Sequence, residues 1–448
     1  MTPRPPSLLP TLGLPRRQVL RLVGGAGAAA LLAACGRGPR ERVVQFWTLD
    51  LAPKFNGFMA AVIAAWERDH PGVRVQWTDV PWASVERKLL AAVFARTAPD
   101  LVNLNPPFAA NLASKGGLLD LDPWLPPRAE ETYLPPIWQA GRQGAEQFAI
   151  PWYLTTRITL ANRQLLQQAG YGAPPRHWAD LPDYAAALRR RTGRYALFVS
   201  VVPDDSAELL ETLVQMGVEL LDAQRRAAFN SASGRQAFAF WSDLYRHGLL
   251  PREVVSQGYR RAIELYQAGE LAQVATGPDF LRSLQTNAPG VARRTAPFPP
   301  LTGPNGEANV AVMNLVVPRQ SAMPAEAVSF ALALTDAAHQ LRFAEQARVL
   351  PSAVDALDQL AQGIRSSADA PLVQKARLLS VDTLERARVL VPAIPGVKRL
   401  QAILYTQLQR AMLGELSSDG ALAAAEREWN RYATARWPGE AAEPKRFL

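Results

Sequence analysis

Beyond the amino-terminal segment, the chain alternates apolar runs typical of strands with apolar residues at helical spacing. RVVQFW at 42–47 is a short apolar run that predicts a buried strand. From Phe55 to Trp66 apolar residues recur three and four positions apart, which predicts a helix with Trp66 on its core face. HPG at 70–72 ends that helix, and VRVQW at 73–77 alternates as a strand does.

The next unit repeats this order. Val85, Leu89 and Val93 predict a second helix, DLVNLN at 100–105 a third strand, and the residues up to Lys115 a third helix. Strands joined by helices and short turns indicate a parallel sheet covered on both faces, so the predicted fold class is α/β. Ligands bind such sheets at the carboxyl ends of the strands.

The middle of the chain is richer in helix. Strands are predicted at 190–200 and 271–277. Between them Ser231 or Ser233 is placed to cap a helix that buries Trp241. The chain is longer than one compact α/β domain needs, so two lobes are expected.

The last third begins with a turn-rich segment, PFPPLTGPNGE at 297–307. VAVMNLVVP at 310–318 is apolar enough for a central strand, and Pro324 suits the first turn of the helix that follows it. Beyond about residue 352 the apolar spacing is helical.

The amino-terminal segment has a different character. Residues 1–34 contain four arginines and no acidic residue, and their last part is an apolar run that ends at Ala34. That run is shorter than the roughly 20 residues that a membrane-spanning helix needs, and it is typical of a secretory signal peptide. The pair Arg16 and Arg17 resembles a twin-arginine export signal.

The single cysteine follows this run directly. One cysteine cannot form a disulfide within its chain. LAAC at 32–35 resembles the bacterial lipobox, a signal cut before its cysteine, whose thiol then carries a diacylglycerol. The resemblance implies that Cys35 is lipidated and that 35–42 is the anchor linker. It also implies an exported protein held on the outer face of the cytoplasmic membrane, in the periplasm or at the cell surface.

Charge and motifs exclude several classes of function. Of the 49 basic residues, 45 remain after the predicted signal peptide, against 40 acidic ones. The sequence contains no dense stripe of lysine or arginine, so we do not expect nucleic acid as a partner. The four histidines are scattered, and no GxSxG, P-loop or HExxH motif occurs. We therefore predict no metal, no cofactor and no catalytic residue.

Eight blocks of sequence carry a family resemblance through their order. They are VVQFWT (43–48), AAWERDHPGVRVQWTDVPW (64–82), ARTAPDLVNLN (95–105), FAIPWYLTTRITLANRQLLQQAG (148–170), HWADL (177–181), FNSASGRQAFAFWSDLYRHGLLP (229–251), YQAGELAQVATGP (266–278) and NLVVPRQSAMPAEAVSFALALTD (314–336). In this order they resemble the extracellular solute-binding proteins of bacterial ABC importers, and within them the sugar-binding group that includes the maltose-binding protein.

The resemblance implies a two-lobed periplasmic-binding-protein fold with three interlobe crossings and a ligand cleft that closes by a hinge motion. The crossings are expected near 151–156, 297–312 and 348–353. The implied lobes are 43–152 plus 311–349 for the first and 153–310 plus 350–448 for the second.

The implied function is that of a substrate-binding subunit, not an enzyme. It would act as a lipid-anchored monomer that captures a sugar, glycoside or polyol and delivers it to ABC permease subunits served by a separate ATPase. Two alternatives stay open. The same fold could bind glycerol phosphate or another solute or serve as a sensor subunit, and an anchored carbohydrate-active enzyme would need two carboxylates about 5 to 10 Å apart.

Sugar binding uses flat aromatic rings and paired hydrogen-bonding groups, so both kinds of side chain are candidates. From strand ends and family positions we expect ligand contacts from Trp47, Asn105, Phe108, Trp152, Tyr153, Thr155, Asp205, Asp279, Asn314 and Arg348. Trp152 and Tyr153 are the main aromatic candidates. Asp205 is also placed to cap a helix, and Arg348 to form a salt bridge.

Overall fold

The structure is a computed structural model that describes residues 42–113, 115–203, 205–391 and 395–437. The predicted signal peptide, including the Arg16 and Arg17 pair, and the lipid-anchor candidate Cys35 lie outside the described residues.

The described chain is a mixed helix and sheet fold, which confirms the α/β class. The strands are β1 (Arg42–Leu49), β2 (Val73–Val80), β3 (Leu101–Leu104), β4 (Arg142–Gln143), β5 (Glu146–Gln147), β6 (Ile150–Thr156), β7 (Ile158–Asn162), β8 (Gln273–Thr276), β9 (Thr295–Phe298), β10 (Ala308–Val316), β11 (Leu350–Pro351) and β12 (Ala387–Arg388).

The helices connect and extend these strands along the chain. They are α1 (Asn56–Asp69), α2 (Trp82–Phe94), α3 (Pro106–Ala113), α4 (Pro135–Gln139), α5 (Arg163–Ala169), α6 (Leu181–Thr192), α7 (Glu208–Gln215), α8 (Ala232–Arg246), α9 (Tyr259–Gln267), α10 (Phe280–Asn287), α11 (Pro289–Ala292), α12 (Pro324–Leu334), α13 (Ala337–Ala347), α14 (Val354–Ser366), α15 (Pro371–Leu384), α16 (Val397–Met412) and α17 (Ser418–Arg436).

The first sheet has the strand order β11-β6-β10-β3-β1-β2, with β12 added beside β10. β1 runs parallel to β2 and β3, which confirms the predicted parallel unit. β6 and β10 are antiparallel neighbours that come from distant parts of the chain. The four residues of β3 are all buried, as a strand covered on both faces must be.

The second sheet has the order β8-β7-β9 and is antiparallel throughout. The strand predicted at 190–200 is wrong. α6 continues to Thr192 and ends at Gly193, whose φ of 70° is the left-handed conformation common after helices. Tyr195 still forms an isolated bridge with Leu271, and the Gln273 N–H donates to the backbone oxygen of Ala196 at 2.9 Å.

The chain passes between the two sheets three times. β6 ends at Thr156 and β7 begins at Ile158, so Arg157 is the residue between the sheets. The chain returns between β9 and β10, through the turn-rich segment predicted at 297–307, and leaves the first sheet again after β11. At this join β11, β6 and β10 lie side by side in the first sheet.

Each sheet has its own apolar core. The first-sheet core includes Phe46 and Trp66, and the second-sheet core includes Phe238, Trp241 and Trp429. Trp66 and Trp241 are only 4% and 0% exposed, which confirms their prediction as core residues. Burying a side chain of this size contributes on the order of 2 kcal/mol. A smaller cluster at the join includes Ile137, Leu154, Val310, Val312, Leu350 and Leu360.

Predicted helix ends are also observed. The backbone N–H of Gly234 donates to the Ser231 hydroxyl at the start of α8, and Pro324 is the first residue of α12. A cap of this kind stabilises a helix by about 1 kcal/mol. In the described part of the chain no helix is both long enough and apolar enough to cross a membrane.

Candidate functional site

Two exposed residues interrupt the largely buried strands β6 and β10 where the two sheets join. Thr155 is the one exposed residue of β6, and its cross-strand partner Ala311 is the one exposed residue of β10. Side chains two residues apart on a strand share a face. Tyr153, Thr155 and Arg157 therefore follow one another along one side of the chain as it leaves the first sheet. We call Thr155 and Ala311 the floor of the site.

Thr48, Asp79 and Tyr153 lie together on the first-sheet side of the floor, where Thr48 is fully buried and Tyr153 is 9% exposed. We call them the first-sheet wall. The Asp79 carboxylate accepts hydrogen bonds from the Thr48 hydroxyl (2.7 Å) and from the backbone N–H groups of Leu51 (3.1 Å) and Ala52 (2.9 Å). Burial, and secondarily the Asp79 charge, raise the pKa of Tyr153 above its ordinary value of 10. The Tyr153 hydroxyl therefore keeps its proton near neutral pH.

Arg157, Asp205, Glu208 and Glu211 form the second-sheet wall. The Arg157 guanidinium donates to the Glu211 carboxylate at 2.8 Å, and this charge raises the pKa of Arg157 above its usual range. Glu208 is only 7% exposed. Burial raises the pKa of Glu208 to about 7, while the nearby Arg157 opposes this rise. Near neutral pH the Glu208 carboxyl is thus protonated in part and can donate or accept.

Asp205 caps a helix, but a different one from the helix that follows it. Its carboxylate accepts from the backbone N–H of Tyr259 (2.7 Å), the first residue of α9, which lies 54 positions further along the chain. α7 begins after Ala207 instead, and the Ser206 hydroxyl accepts from the Glu208 N–H at 3.3 Å. The cap was expected on the following helix, and packing moved it to α9.

Arg348 forms a salt bridge, the second of its two expected roles. It donates twice to Asp369, at 2.8 and 3.3 Å, and Arg377 donates to the same carboxylate at 2.7 Å. Hydrogen bonds from Arg348 and Arg377 lower the pKa of Asp369 to about 2. Asp279 lines one cavity with Arg348 and Arg282, so two predicted site residues meet here.

Trp152 and Phe108 lie in the core instead of at the floor. Trp152 is 0% exposed, and its ring centroid is 4.7 Å from that of Phe343. The pairing of β6 with β10 shifts between Met313 and Asn314, which makes Trp152 the extra residue of a bulge. The bulge turns the ring into the apolar core. Phe108 is 2% exposed in the same core.

The remaining predicted residues lie along the first sheet. The Asn105 side-chain oxygen accepts from the backbone N–H of Phe108 at 3.0 Å and so caps α3. Asn314 is 4% exposed, and its backbone oxygen accepts from the Asn103 amide at 3.2 Å. Trp47 is half-buried in β1. These residues lie at the carboxyl end of the sheet, and none of the three is fully exposed to solvent.

Several residues of the two walls were not predicted as ligand contacts. Asp79 had a usable signal, because it follows the strand predicted at 73–77 by two residues, at the carboxyl end where ligands bind. No signal in the sequence marks Arg157, Glu208 and Glu211, because only the passage of the chain from one sheet to the other brings them together. Across the described ranges no group of three or more His, Cys, Asp or Glu side chains is placed to hold a metal ion.

Comparisons with known proteins agree with this arrangement. The model of the family described as "Bacterial extracellular solute-binding protein" matches residues 50–341. A crystal structure from Synechococcus sp. MITs9220, named a "putative oligosaccharide periplasmic-binding protein", is 64% identical with a TM-score of 0.83. The alignment covers 88% of this chain and 100% of that one.

Two more distant proteins match over most of the chain. The "Mannitol-binding protein" of Pseudomonas aeruginosa is 23% identical over 413 residues, which is 86% of this chain and 91% of the other. The structure of "the sugar-binding protein MalE" from Xanthomonas citri is 23% identical, has a TM-score of 0.73, and covers 90% of this chain and 100% of its own.

Proposed function

The chain belongs to the bacterial extracellular solute-binding proteins, a non-catalytic family, and from that premise we propose that it is the lipid-anchored binding subunit of an ABC importer for a sugar, glycoside or polyol. The ligand would enter between the walls, and bending at the join of the sheets would close the lobes on it. The closed form would then deliver it to membrane permease subunits served by a separate ATPase.

The exposed floor between two polar walls carries this proposal. Thr155 and Ala311 lie open on strands that are otherwise largely buried, so the join leaves space for a ligand. A sugar hydroxyl both donates and accepts. Asp79 and Glu211 accept, Arg157 donates, and Glu208, with a pKa of about 7, does either. Acids outnumber bases on these walls, which favours a neutral, hydroxyl-rich ligand over an anion.

We keep the expected site residues as proposed contacts, with roles that follow their placement. Tyr153, Thr155, Asp205 and Asp279 would contact the ligand. Arg348 would contact the ligand only after its salt bridge with Asp369 is broken. Trp47, Asn105 and Asn314 would line the carboxyl end of the first sheet, and Trp152 and Phe108 would support them from the core. The proposed lobes are 43–152 plus 311–349 and 153–310 plus 350–448.

The ligand class is tested with a chain of residues 36–448. Thermal unfolding is followed with mono- and disaccharides, glucosylglycerol, mannitol and other polyols, and glycerol 3-phosphate. A bound ligand at a hundredfold excess over its dissociation constant stabilises the fold by ~3 kcal/mol. Product analysis must find each stabilising compound intact. A consumed glycoside would support the enzyme alternative, and a response to glycerol 3-phosphate alone would support the phosphate alternative.

The site is tested by removing single hydroxyl groups. Tyr153→Phe and Thr155→Val should weaken binding by about tenfold or more, because a matched ligand hydroxyl loses its partner. Thr97→Val, on an exposed turn after α2, is the control and should bind as the unchanged chain does. If all three variants bind equally, the ligand does not lie on this floor. The anchor is tested separately. Cys35→Ala should release the protein from the membrane fraction.

A further inference from the structure

Helix α2 exposes an apolar strip to solvent. Phe94 is 93% exposed and Leu90, one turn before it, is 43% exposed. Residues four apart lie on one side of a helix, so the two side chains are neighbours. The opposite side of α2 is buried through Val85 and Leu89. We call Leu90, Ala91 and Phe94 the α2 apolar face. A nearly fully exposed phenylalanine beside an exposed leucine suits a contact surface.

Basic residues border this face. Arg87, Lys88 and Arg96 are exposed and form no ion pair within the described residues. Glu86 is the one acid of α2, and its charge is paired with Lys398. The border is therefore positive, and it complements a surface that carries negative charge. An apolar strip with a basic border is the pattern of segments that lie in a membrane interface.

The strand order places this face at a defined edge of the first sheet. β1, β2 and β3 are parallel, and α2 leads from the carboxyl end of β2 back to the amino end of β3. Leu90 and Phe94 therefore lie toward the amino edge, where Arg42 begins β1. The walls of the site lie toward the opposite edge, because Thr48 and Asp79 are near the carboxyl ends of β1 and β2.

The proposed anchor attaches at this same edge. Seven residues lead from Cys35 to Arg42, and even a fully extended chain of that length spans only about 25 Å. A lipid on Cys35 would thus hold the amino edge of the first sheet close to the bilayer. This step rests on the proposed anchor, whereas the apolar face and its basic border do not.

From these observations we propose that the α2 apolar face docks on an anionic lipid surface. Phe94 and Leu90 enter the headgroup region while Arg87, Lys88 and Arg96 contact negatively charged headgroups. In this position the cleft faces away from the bilayer and is open to solute. Two apolar side chains bind a membrane only weakly, so the tethered protein can leave this position to meet a permease.

The test uses residues 36–448 without lipid, so it does not depend on the anchor. This part contains both sheet cores, and the Synechococcus crystal structure corresponds to 88% of the chain. It also lacks Cys35, so Phe94→Cys introduces its single thiol for a polarity-sensitive dye. Leu413→Cys, at a position 54% exposed after α16, is the matched control. Vesicles of phosphatidylcholine and phosphatidylglycerol in equal parts should blue-shift the dye at 94 but not at 413.

Vesicle flotation of unlabelled protein gives the second measurement. The double variant Leu90→Ser with Phe94→Ser should lower the bound fraction about tenfold, and Leu413→Ser should not change it. Replacing Arg87, Lys88 and Arg96 by glutamine should lower binding and remove its dependence on salt. No binding of the unchanged chain, or equal blue shifts at 94 and 413, would overturn the proposal. Loss of the membrane fraction in Cys35→Ala cells alone would concern the anchor instead.

Discussion

Replacing Glu208 by glutamine removes a carboxyl group that the fold holds at a raised pKa and leaves its shape nearly unchanged. Burial raises the pKa of Glu208 from 4.5 to about 7. Each unit of difference between the folded and unfolded chain corresponds to about 1.4 kcal/mol. Ionisation of Glu208 in the folded protein therefore costs on the order of 3 kcal/mol at pH 8.

The direction of the pH dependence follows from the raised pKa. Between pH 4.5 and 7 the folded chain holds a proton that the unfolded chain has released, so stability falls as pH rises through this range. Below pH 4.5 both states are protonated and Glu208 contributes no difference. Glutamine never ionises. Glu208→Gln should thus gain about 3 kcal/mol over the unchanged chain at pH 8 and almost nothing at pH 4.5.

Tryptophan fluorescence during heating at pH 4.5 and pH 8 provides the assay. For a lobe of this size the gain corresponds to a rise in Tm of about 5 °C at pH 8. Glu415→Gln is the control, because Glu415 is 54% exposed beside Arg410 and should respond little at either pH. A lower Tm for Glu208→Gln at pH 8 would refute the reasoning, since Glu208 would then be an ionised partner of Arg157.

Two further substitutions test other parts of the fold. Asp369→Asn removes a carboxylate whose lowered pKa stabilises the folded chain above pH 4, an effect lost as pH falls toward 2. After allowance for solvent screening it should cost about 1–2 kcal/mol at pH 7, with a smaller difference in thermal unfolding at pH 3. Gly303→Ala would place Cβ 1.7 Å from the backbone oxygen of Gln215, which cannot move aside. It should lower the free energy of unfolding, measured by urea denaturation, by about 2 kcal/mol or more, and Gly290→Ala, which meets nothing within 4 Å, should not. Equal midpoints for the two glycine variants would contradict this packing.

Local periodicity was enough to find β1, β2, β3, β8 and β10 and helices such as α1, α2, α8 and α9. The apolar spacing from Phe55 to Trp66 marks α1, and Ser231 and Ser233 were the two candidate caps of α8, of which Ser231 is the observed one. These features depend on contacts between residues a few positions apart, so they are visible in a short window of sequence. The parallel order of β1, β2 and β3 follows from the same windows, because helical connections between strands favour it.

The candidate site depends on contacts between residues far apart in the chain, which no short window of sequence contains. Trp152 and Tyr153 are adjacent and both pack against Phe343, yet a bulge in the pairing with β10 leaves Trp152 0% exposed while Tyr153, two residues before Thr155, keeps 9%. Asp205 caps a helix 54 positions away. Such partners are set by strand register and by the packing of one element on another.

The charge state of the site has the same origin. Arg157 is an ordinary arginine in the sequence, and Glu208 and Glu211 are one turn apart on a helix. Only the passage between the sheets brings the guanidinium against both carboxylates and removes Glu208 from water. The residue types and their local structure were therefore predictable from the chain, whereas the raised pKa of Glu208 arose from burial, which long-range packing alone decides.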